Sequence, residues 1–343
     1  MDFIKIDGSF GEGGGQILRT SLTLSIVTGK PFEMVNIRAK RENPGLRPQH
    51  LWAVRSAAII SSADVKGDEI GSQRLRFIPG EVTSGEYEFN IGTAGSTSLL
   101  LQTIFIPLAL KGNYSSTVTV RGGTHVPWSP SFECLEGWLD FLKRMGFKGS
   151  VSLKRAGFYP KGGGEIRACV EPVREVQPIR VEERGELVEI YGISAVAGLP
   201  IEVAKRGKER VFQLLEQYGV PLNVEVKEVP SSGQGAFIFL KGVFKNTVAY
   251  YDVLGEKGKR MEKVAEEACY KLIGFINSGA TVDEKMGDQL IVPLSLAEGN
   301  SCFRVPYVTN HMKTNVEVVK EFLDNIEISI KEDNKVIIEK NVK

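Results

Sequence analysis

The alternation of apolar and polar positions shows a pattern of predicted elements that recurs along the chain. A short apolar strand at 3–6 precedes a glycine-rich loop at 8–16 and an amphipathic helix at 17–28. Apolar residues at helical spacing predict this helix, and Gly29 predicts its C-terminal cap. The order of strand, glycine loop, helix and strands returns about every 60–80 residues, which is typical of repeated structural units.

The same pattern predicts the elements that follow. Helices are expected at 51–63, 98–110 and 132–145, and strands at 32–37, 75–78, 87–91, 116–121 and 151–154. Glycine-rich loops open two of these elements, so helices packed on mixed or antiparallel sheets are predicted.

The pattern changes at about residue 183. Between 187 and 276 the predicted order is β-α-β-β-β-α, and after it the earlier style returns. A small unit inserted into a larger one explains this better than two domains in series. We therefore predict an α/β (α+β) protein with a large domain of repeated βαβ-type units at 1–183 and 278–343 and a smaller inserted α/β domain at 184–277.

Composition argues against a membrane-spanning protein, a disulfide-stabilised protein and a protein with a strong overall charge. The 343 residues are 42% apolar and 25% charged with a net charge of +1, so no global field favours a nucleic acid or a membrane. No apolar run is long enough to span a membrane, and no signal peptide is expected at the N-terminus. Four cysteines without a close pair indicate a reducing, cytoplasmic location and predict core positions.

One histidine stands where local structure can use it. His311 follows a predicted strand at 302–308 and precedes an apolar-periodic helix, and the spacing of Thr314 and Glu317 predicts that this helix starts at Thr314. His311 would then lie just outside a helix N-terminus, which attracts phosphate. Imidazole is largely neutral and nucleophilic near pH 7. A surface histidine without a function is the alternative.

The segment 38–50 concentrates positive charge. It holds four arginine or lysine residues and a single acid, and the Asn43-Pro44-Gly45 turn folds it back on itself. The cations are therefore expected to converge on one place as a phosphate-binding patch, with a solvated charge run as the alternative.

The glycine-rich loop at 8–16 allows two interpretations. A glycine loop between a strand and a helix brings backbone close to phosphate, but the spacing matches neither GxGxxG nor GxxxxGK[ST]. A ligand loop and a tight structural turn both remain open.

Taken together, seven segments resemble the RNA 3′-terminal phosphate cyclase family in the expected order along the chain. They are 11–19, 38–50, 92–97, 122–124, 159–165, Asp288-Gln289 and His311-x-x-Thr314-Asn315. The resemblance implies repeated βαβ-type units related to the enolpyruvyl-transferase fold, with an inserted α/β domain. It also implies three steps: a histidine takes AMP from ATP, AMP moves to an RNA 3′-phosphate, and the 2′-hydroxyl displaces AMP to leave a 2′,3′-cyclic phosphate.

The resemblance further implies roles for individual residues. His311 matches the nucleophile, and Glu12 matches an acid that either binds Mg²⁺ or Mn²⁺ or orients an arginine. Residues matching the substrate-phosphate site are Arg19, Arg38, Arg41, Gln49 and His50. Residues matching the ATP contacts are Gln102, Lys285, Met286, Gly287, Asp288 and Gln289. Lys285 departs from the bacterial pattern, which has an aromatic residue there, so lysine would approach a phosphate rather than stack on adenine.

Two rival functions share this architecture. Cyclase-like ribosome-biogenesis factors bind RNA without nucleotidyl transfer and lack the histidine that His311 supplies. Enolpyruvyl transferases have no use for a nucleophilic histidine. The resemblance therefore favours an enzyme with ATP and 3′-phosphorylated RNA as partners, and a homodimer by analogy. His125 is predicted to be a loop residue without a role.

Overall fold

The computed structural model describes residues 2–340, which form four β-sheets and eight α-helices. This mixed architecture confirms the predicted fold class. The first unit consists of β1 (Ile4–Asp7), α1 (Gly15–Thr28), β2 (Phe32–Val35), α2 (Pro48–Ser61), β3 (Asp64–Lys66) and β4 (Leu75–Ile78). Its sheet has the order β1-β2-β4-β3, with β1 and β2 parallel and β4 antiparallel to both of its neighbours.

The second unit repeats this topology. It consists of β5 (Glu86–Asn90), α3 (Thr97–Lys111), β6 (Ser116–Gly122), α4 (Phe132–Arg144), β7 (Lys148–Arg155) and β8 (Gly164–Glu171). The sheet order β5-β6-β8-β7 and the strand directions are those of the first unit. The recurring sequence pattern therefore corresponds to a recurring fold, although the sequence analysis missed β3 and β8.

The third unit is interrupted. It consists of α7 (Glu284–Ser295), β13 (Ser301–Arg304), α8 (Asn310–Phe322), β14 (Ile326–Ile330) and β15 (Lys335–Lys340), in the sheet order β13-β15-β14. Arg180 bridges in parallel to Cys302 of β13, and this segment takes the place of the first strand. More than 100 residues of chain separate that segment from α7.

Most of those residues form a separate layer with its own core. This inserted unit consists of β9 (Leu187–Ala197), α5 (Ile201–Leu215), a 3₁₀ turn (Glu216–Tyr218), β10 (Leu222–Glu228), β11 (Gly235–Phe244), β12 (Val248–Leu254) and α6 (Met261–Ser278). Its sheet has the order β10-β9-β11-β12, and α5 and α6 pack on it over a hydrophobic cluster distinct from the main one. The domain limits at 184 and 277 stay a prediction, as does the relation to the enolpyruvyl-transferase fold.

Helix α1 lies at the centre of the large core. It packs against α2, α3 and α8, and the stretch from Ile17 to Ile26 is buried almost throughout. A helix that is buried on nearly every side must be surrounded by other elements. At its N-terminal end the chain lies against the N-terminal turns of α2 and α8, since a Cβ on Gly15 would meet His50 and a Cβ on Gly11 would meet Thr314. No helix among residues 2–340 is both long and apolar enough to cross a membrane.

Candidate functional site

His311 lies inside helix α8 rather than before it. The helix begins at Asn310, because the Thr309 hydroxyl accepts a hydrogen bond from Met312 N at 3.0 Å and caps the first turn. The predicted start at Thr314 is wrong: its hydroxyl donates instead to the Asn310 carbonyl at 2.8 Å. His311 still stands in the first turn, where backbone N–H groups lack helical partners.

The imidazole of His311 is held between a carboxylate and two arginines. Nε2 lies 3.2 Å from Glu12 Oε2, and the side chain is 44% exposed. Burial lowers the pKa of His311, as do Arg19 and Arg41, against the opposing effect of Glu12. Among the described residues, Nδ1 is buried without a hydrogen-bond partner. The ring is therefore favoured in its neutral form, which is the nucleophilic one.

The glycine loop before α1 lets these side chains approach the backbone. A Cβ on Gly11, whose φ is +57°, would stand 2.4 Å from Thr314 Oγ1. A Cβ on Gly15 would stand 2.4 Å from His50 Nε2 and 2.8 Å from Arg19 Nη1. Real Cβ atoms do not come so close to heavy atoms, so a residue other than glycine at either position would displace these side chains.

His50 is the centre of the positive charge. Burial, followed by the charges of Arg19, Arg38, Arg47 and Arg41, lowers the pKa of His50 to about 3. Its Nδ1 accepts a hydrogen bond from Arg47 N at 3.4 Å, which places the proton on Nε2. His50 is therefore a neutral N–H donor among fixed cations. Arg38, Arg41 and Arg47 of the segment 38–50 therefore act on this one place, whereas the phosphate-binding role of the patch stays a prediction.

The arginines differ in the hydrogen bonds and ion pairs that they form within the protein. Arg38 donates to the carbonyls of Asn43 and Gly45 at 2.7 and 3.0 Å and holds its own loop closed. Arg41 lies 3.7 Å from Glu12. Burial lowers the pKa of Arg19 to about 10, so it stays charged, and it donates to Gln16 at 2.7 Å.

Gln49 links this region to the second unit. Its Oε1 accepts a hydrogen bond from Ser96 N at 3.0 Å, directly before α3. The Ser96 hydroxyl in turn accepts from Leu99 N at 3.2 Å and caps α3. Gln49 therefore brings two helix N-termini together, and its amide nitrogen forms no hydrogen bond within the described part of the chain.

Helix α7 carries the second group of predicted residues. Asp288 accepts a hydrogen bond from the Thr309 hydroxyl, and burial raises the pKa of Asp288 to about 8. Gln289 accepts a hydrogen bond from Gln102 of α3. Asn315 is fully buried; it donates to the Asp288 carbonyl at 2.7 Å and accepts from Thr20 at 2.7 Å. These bonds fix α7 against α8 and α1.

The other residues predicted on α7 have different surroundings. Lys285 Nζ lies 3.0 Å from Asp252 of the inserted unit; burial alone would lower the pKa of Lys285, but Asp252 raises it. Met286 is buried in the core, and a Cβ on Gly287 would stand 2.6 Å from Val305. Met286 and Gly287 therefore face the core, and neither residue lines the cleft described below.

A cleft of about 1350 Å³ divides the predicted residues into two groups. The group that lines it is Gln102, Lys285, Asp288 and Gln289, together with Arg19 and His311. The group outside it surrounds His50 and Glu12. His311 and Arg19 line the cleft and also act on the second group, since His311 Nε2 lies 3.2 Å from Glu12 and the charge of Arg19 lowers the pKa of His50. The imidazole therefore stands where ligands on two sides would meet.

His125 lies in the loop between β6 and α4, as the sequence predicts, but it also forms specific buried contacts. It is 1% exposed, Nε2 lies 2.9 Å from Glu133 Oε2, and Nδ1 lies 2.8 Å from Thr124 Oγ1. Its ring stacks on Phe158 and on Phe237 at centroid distances of 5.2 and 4.4 Å, and these two rings also lie 6.4 Å from each other. His125 joins the second unit to the inserted sheet, a contact that no local pattern indicates.

Comparison with known proteins gives the family. The sequence profile of the RNA 3′-terminal phosphate cyclase family matches residues 10–330. An RNA 3′-terminal phosphate cyclase of Saccharolobus solfataricus is 45% identical over 332 residues, covering 95% of this chain and 96% of that protein. The protein of that name from Nostoc punctiforme is 41% identical over 348 residues, covering 99% of each chain. The chain therefore belongs to the RNA 3′-terminal phosphate cyclase family.

Proposed function

We propose that this protein uses ATP to convert an RNA 3′-terminal phosphate to a 2′,3′-cyclic phosphate through a histidine–AMP intermediate. The observation that carries the proposal is the position of His311. Its pKa is lowered by burial, and it stands between a large cleft and an arginine cluster. Two phosphate-bearing substrates can then reach one nucleophile from different sides.

In the first step, His311 Nε2 attacks the α-phosphorus of ATP. The N–P bond forms, the bond from the α-phosphorus to the bridging oxygen breaks, and pyrophosphate leaves. For this attack the Nε2 lone pair must be free, with the proton of the neutral ring on Nδ1. Glu12, whose carboxylate lies 3.2 Å from Nε2, takes the Nε2 proton from a protonated imidazole and so returns the ring to this form. Arg19 and Arg41 act on the same imidazole, and their charge stabilises the transferring phosphoryl group.

The nucleotide would occupy the cleft. Gln102 and Gln289 present a paired set of amide groups there, and Asp288, with its pKa raised to about 8, is largely protonated at neutral pH. A protonated carboxyl repels a phosphate less than a carboxylate does. Lys285 is paired with Asp252, which keeps its ammonium group charged at the edge of the same cleft.

The RNA 3′-phosphate would bind the arginine cluster. Arg38, Arg41 and the Nε2–H of His50 are donors suited to phosphate oxygens. A phosphate oxygen attacks the phosphorus of the histidine–AMP, the P–N bond breaks, and the RNA carries AMP. The adjacent 2′-hydroxyl then attacks the RNA phosphorus, and AMP leaves. That hydroxyl is already at attack distance, so this last step needs mainly charge neutralisation.

A divalent metal fits this arrangement only together with phosphate. Among residues 2–340, no group of three or more histidine, cysteine, aspartate or glutamate side chains forms a metal site. Mg²⁺ commonly binds one or two carboxylates plus substrate phosphates. Glu12, beside His311, is the carboxylate that would hold Mg²⁺ or Mn²⁺, and the metal would neutralise phosphate charge.

The test is transfer of label from [α-³²P]ATP to the purified protein, with [γ-³²P]ATP as the negative control. The expected label is acid-labile and alkali-stable, as a phosphoramidate should be, and His311→Asn should abolish it. Labelling of that variant at the normal level would overturn the assignment of the nucleophile. Absence of label from the native protein, with ATP binding measured separately, would favour an RNA-binding assembly factor.

A further inference from the structure

Two exposed aromatic side chains stand at the rim of the cleft. Trp128 is 98% exposed and Tyr159 is 67% exposed, and both line the same cleft as His311. Tryptophan is among the more buried residue types on average, so an almost fully exposed one requires an explanation. The residues assigned above to ATP and to the RNA phosphate do not include either aromatic.

Trp128 is also held in an unfavourable backbone conformation. It occupies the left-handed region at φ +59°, in a turn that follows Val126 and Pro127. Glycine or asparagine is the usual residue in that region, because a Cβ there is crowded by backbone. Strain of this kind, kept at the edge of a site, indicates a functional demand on the side chain.

The base of the turn is rigid although its tip is exposed. His125 forms a β-bridge with Phe158, and the backbone N–H groups of Thr124 and His125 both donate to the Gly157 carbonyl, at 2.9 and 3.1 Å. This bridge joins the loop that carries Trp128 to the loop that carries Tyr159. Trp128 lies three residues after His125, and Tyr159 lies one residue after Phe158. The stacked ring of His125 beneath them fixes both loops against the inserted sheet.

We propose that Trp128 and Tyr159 form a stacking surface for bases of the RNA strand upstream of its reacting 3′ end. This inference rests on the proposed function. Aromatic side chains bind single-stranded RNA by stacking with little sequence preference, since every base has a π-face. A rigid, exposed platform has less conformational freedom to lose when a base stacks on it.

The exposure of Trp128 favours RNA over the adenine of ATP. A small ligand is usually 70–90% enclosed by its pocket, whereas an RNA chain must leave the site and continue into solvent. Lys257 of the inserted unit lines the same cleft and forms no salt bridge among the described residues, so its charge is available to the RNA backbone.

The experiment measures binding of short 3′-phosphorylated RNA without ATP, in a His311→Ala background, by fluorescence anisotropy. Trp128→Ala should raise the Kd by about 5- to 100-fold, and Trp128→Phe should retain most of the affinity. RNA with an abasic nucleotide at one upstream position should bind the protein that retains Trp128 more weakly than intact RNA does. The Trp128→Ala variant should bind both RNAs with the same affinity. Unchanged affinity of Trp128→Ala would overturn the proposal.

Two further measurements test whether Trp128 has a structural role or stacks on adenine instead. Trp128→Gly, which relieves the left-handed strain, should raise the thermal unfolding midpoint while it loses RNA affinity; a loss of both would indicate a structural role and overturn the proposal. With His311 intact, Trp128→Ala should still take label from ATP. Loss of that label with unchanged RNA affinity would assign the stacking to adenine. Intact RNA stacking in a protein that takes no label would support this inference and overturn the proposed function alone.

Discussion

Gly15 and His50 are packed so closely that a single methyl group on Gly15 would stand 2.4 Å from the imidazole Nε2. The same methyl group would stand 2.8 Å from the guanidinium of Arg19. The start of α1 is thus shaped by the side chains that face it, which gives the glycine run a structural reason beyond phosphate contact.

Gly15→Ala is therefore expected to displace His50 and Arg19 and to lower cyclisation of 3′-phosphorylated RNA by at least about tenfold, since misplaced catalytic groups lose rate steeply. Gly274→Ala is the matched control, because a Cβ there meets no atom within 4 Å. Alanine should favour helix α6 at that position, by up to about 1 kcal/mol. Steady-state rates and urea unfolding of both variants check the prediction, and equal activities would contradict it.

Arg41→Ala should weaken binding of RNA that ends in a 3′-phosphate more than binding of RNA that ends in a 3′-hydroxyl. Within residues 2–340 the one ion pair of Arg41 is with Glu12, at 3.7 Å, so its guanidinium is available to a phosphate. A hydrogen bond to a charged group is worth about 1.5–3 kcal/mol, which corresponds to about 10- to 100-fold in Kd. Competition binding with the two RNAs measures the difference. Arg55 lies on α2 and pairs with Asp68, so Arg55→Ala is the control and should leave the affinity for both RNAs unchanged. Equal losses of affinity for both RNAs with Arg41→Ala would remove the phosphate assignment.

His50 should make the stability of the protein fall at acidic pH. The unfolded chain protonates His50 below about pH 6.5, whereas the pKa in the folded protein is about 3. The unfolded state therefore binds more protons in this window, and stability decreases as the pH falls from 6.5 toward 3. Between pH 7.5 and 5 this contribution is about 2 kcal/mol. It should be absent from His50→Gln when denaturant unfolding is measured at both pH values, and parallel pH profiles would contradict the assigned shift.

Thr309→Val should destabilise the protein by about 1–2 kcal/mol, because it removes the cap of α8 and the hydroxyl that donates to Asp288. Thr309→Ser keeps both contacts and is the matched control. Label transfer from ATP should also decrease in the valine variant, since His311 lies in the first turn that Thr309 caps. If valine and serine variants unfold at the same denaturant concentration, the cap is not a stabilising contact.

Local sequence patterns predicted the positions of helices and strands better than they predicted the contacts between them. The segment 38–50 was interpretable because its turn chemistry and its charges act over a few residues. The start of α8 was placed wrongly because Thr309 and Thr314 are both suitable caps, and only the tertiary bond from Thr309 to Asp288 distinguishes them. A threonine three residues before Met312 was the signal that could have indicated the true start.

Long-range partners carried no such signal. Asp252 and Lys285 are 33 residues apart and belong to different units, and the ring stack of His125 involves the inserted sheet. A lone buried histidine has no characteristic spacing, so its contacts follow from packing that periodicity does not encode.

The interruption of the third unit has a consequence for the order in which the chain can fold. Ile179 and Ser301, which join the first-strand segment to β13, are 122 residues apart, and Gln16 and Asn315 are 299 residues apart. Contacts at such separations form slowly, because the intervening chain must first be confined. The inserted unit, with its own core, shortens the effective loop once it is folded. The site around His311 is then among the last regions to assemble, because a ribosome must release nearly the whole chain before Glu12 can meet His311.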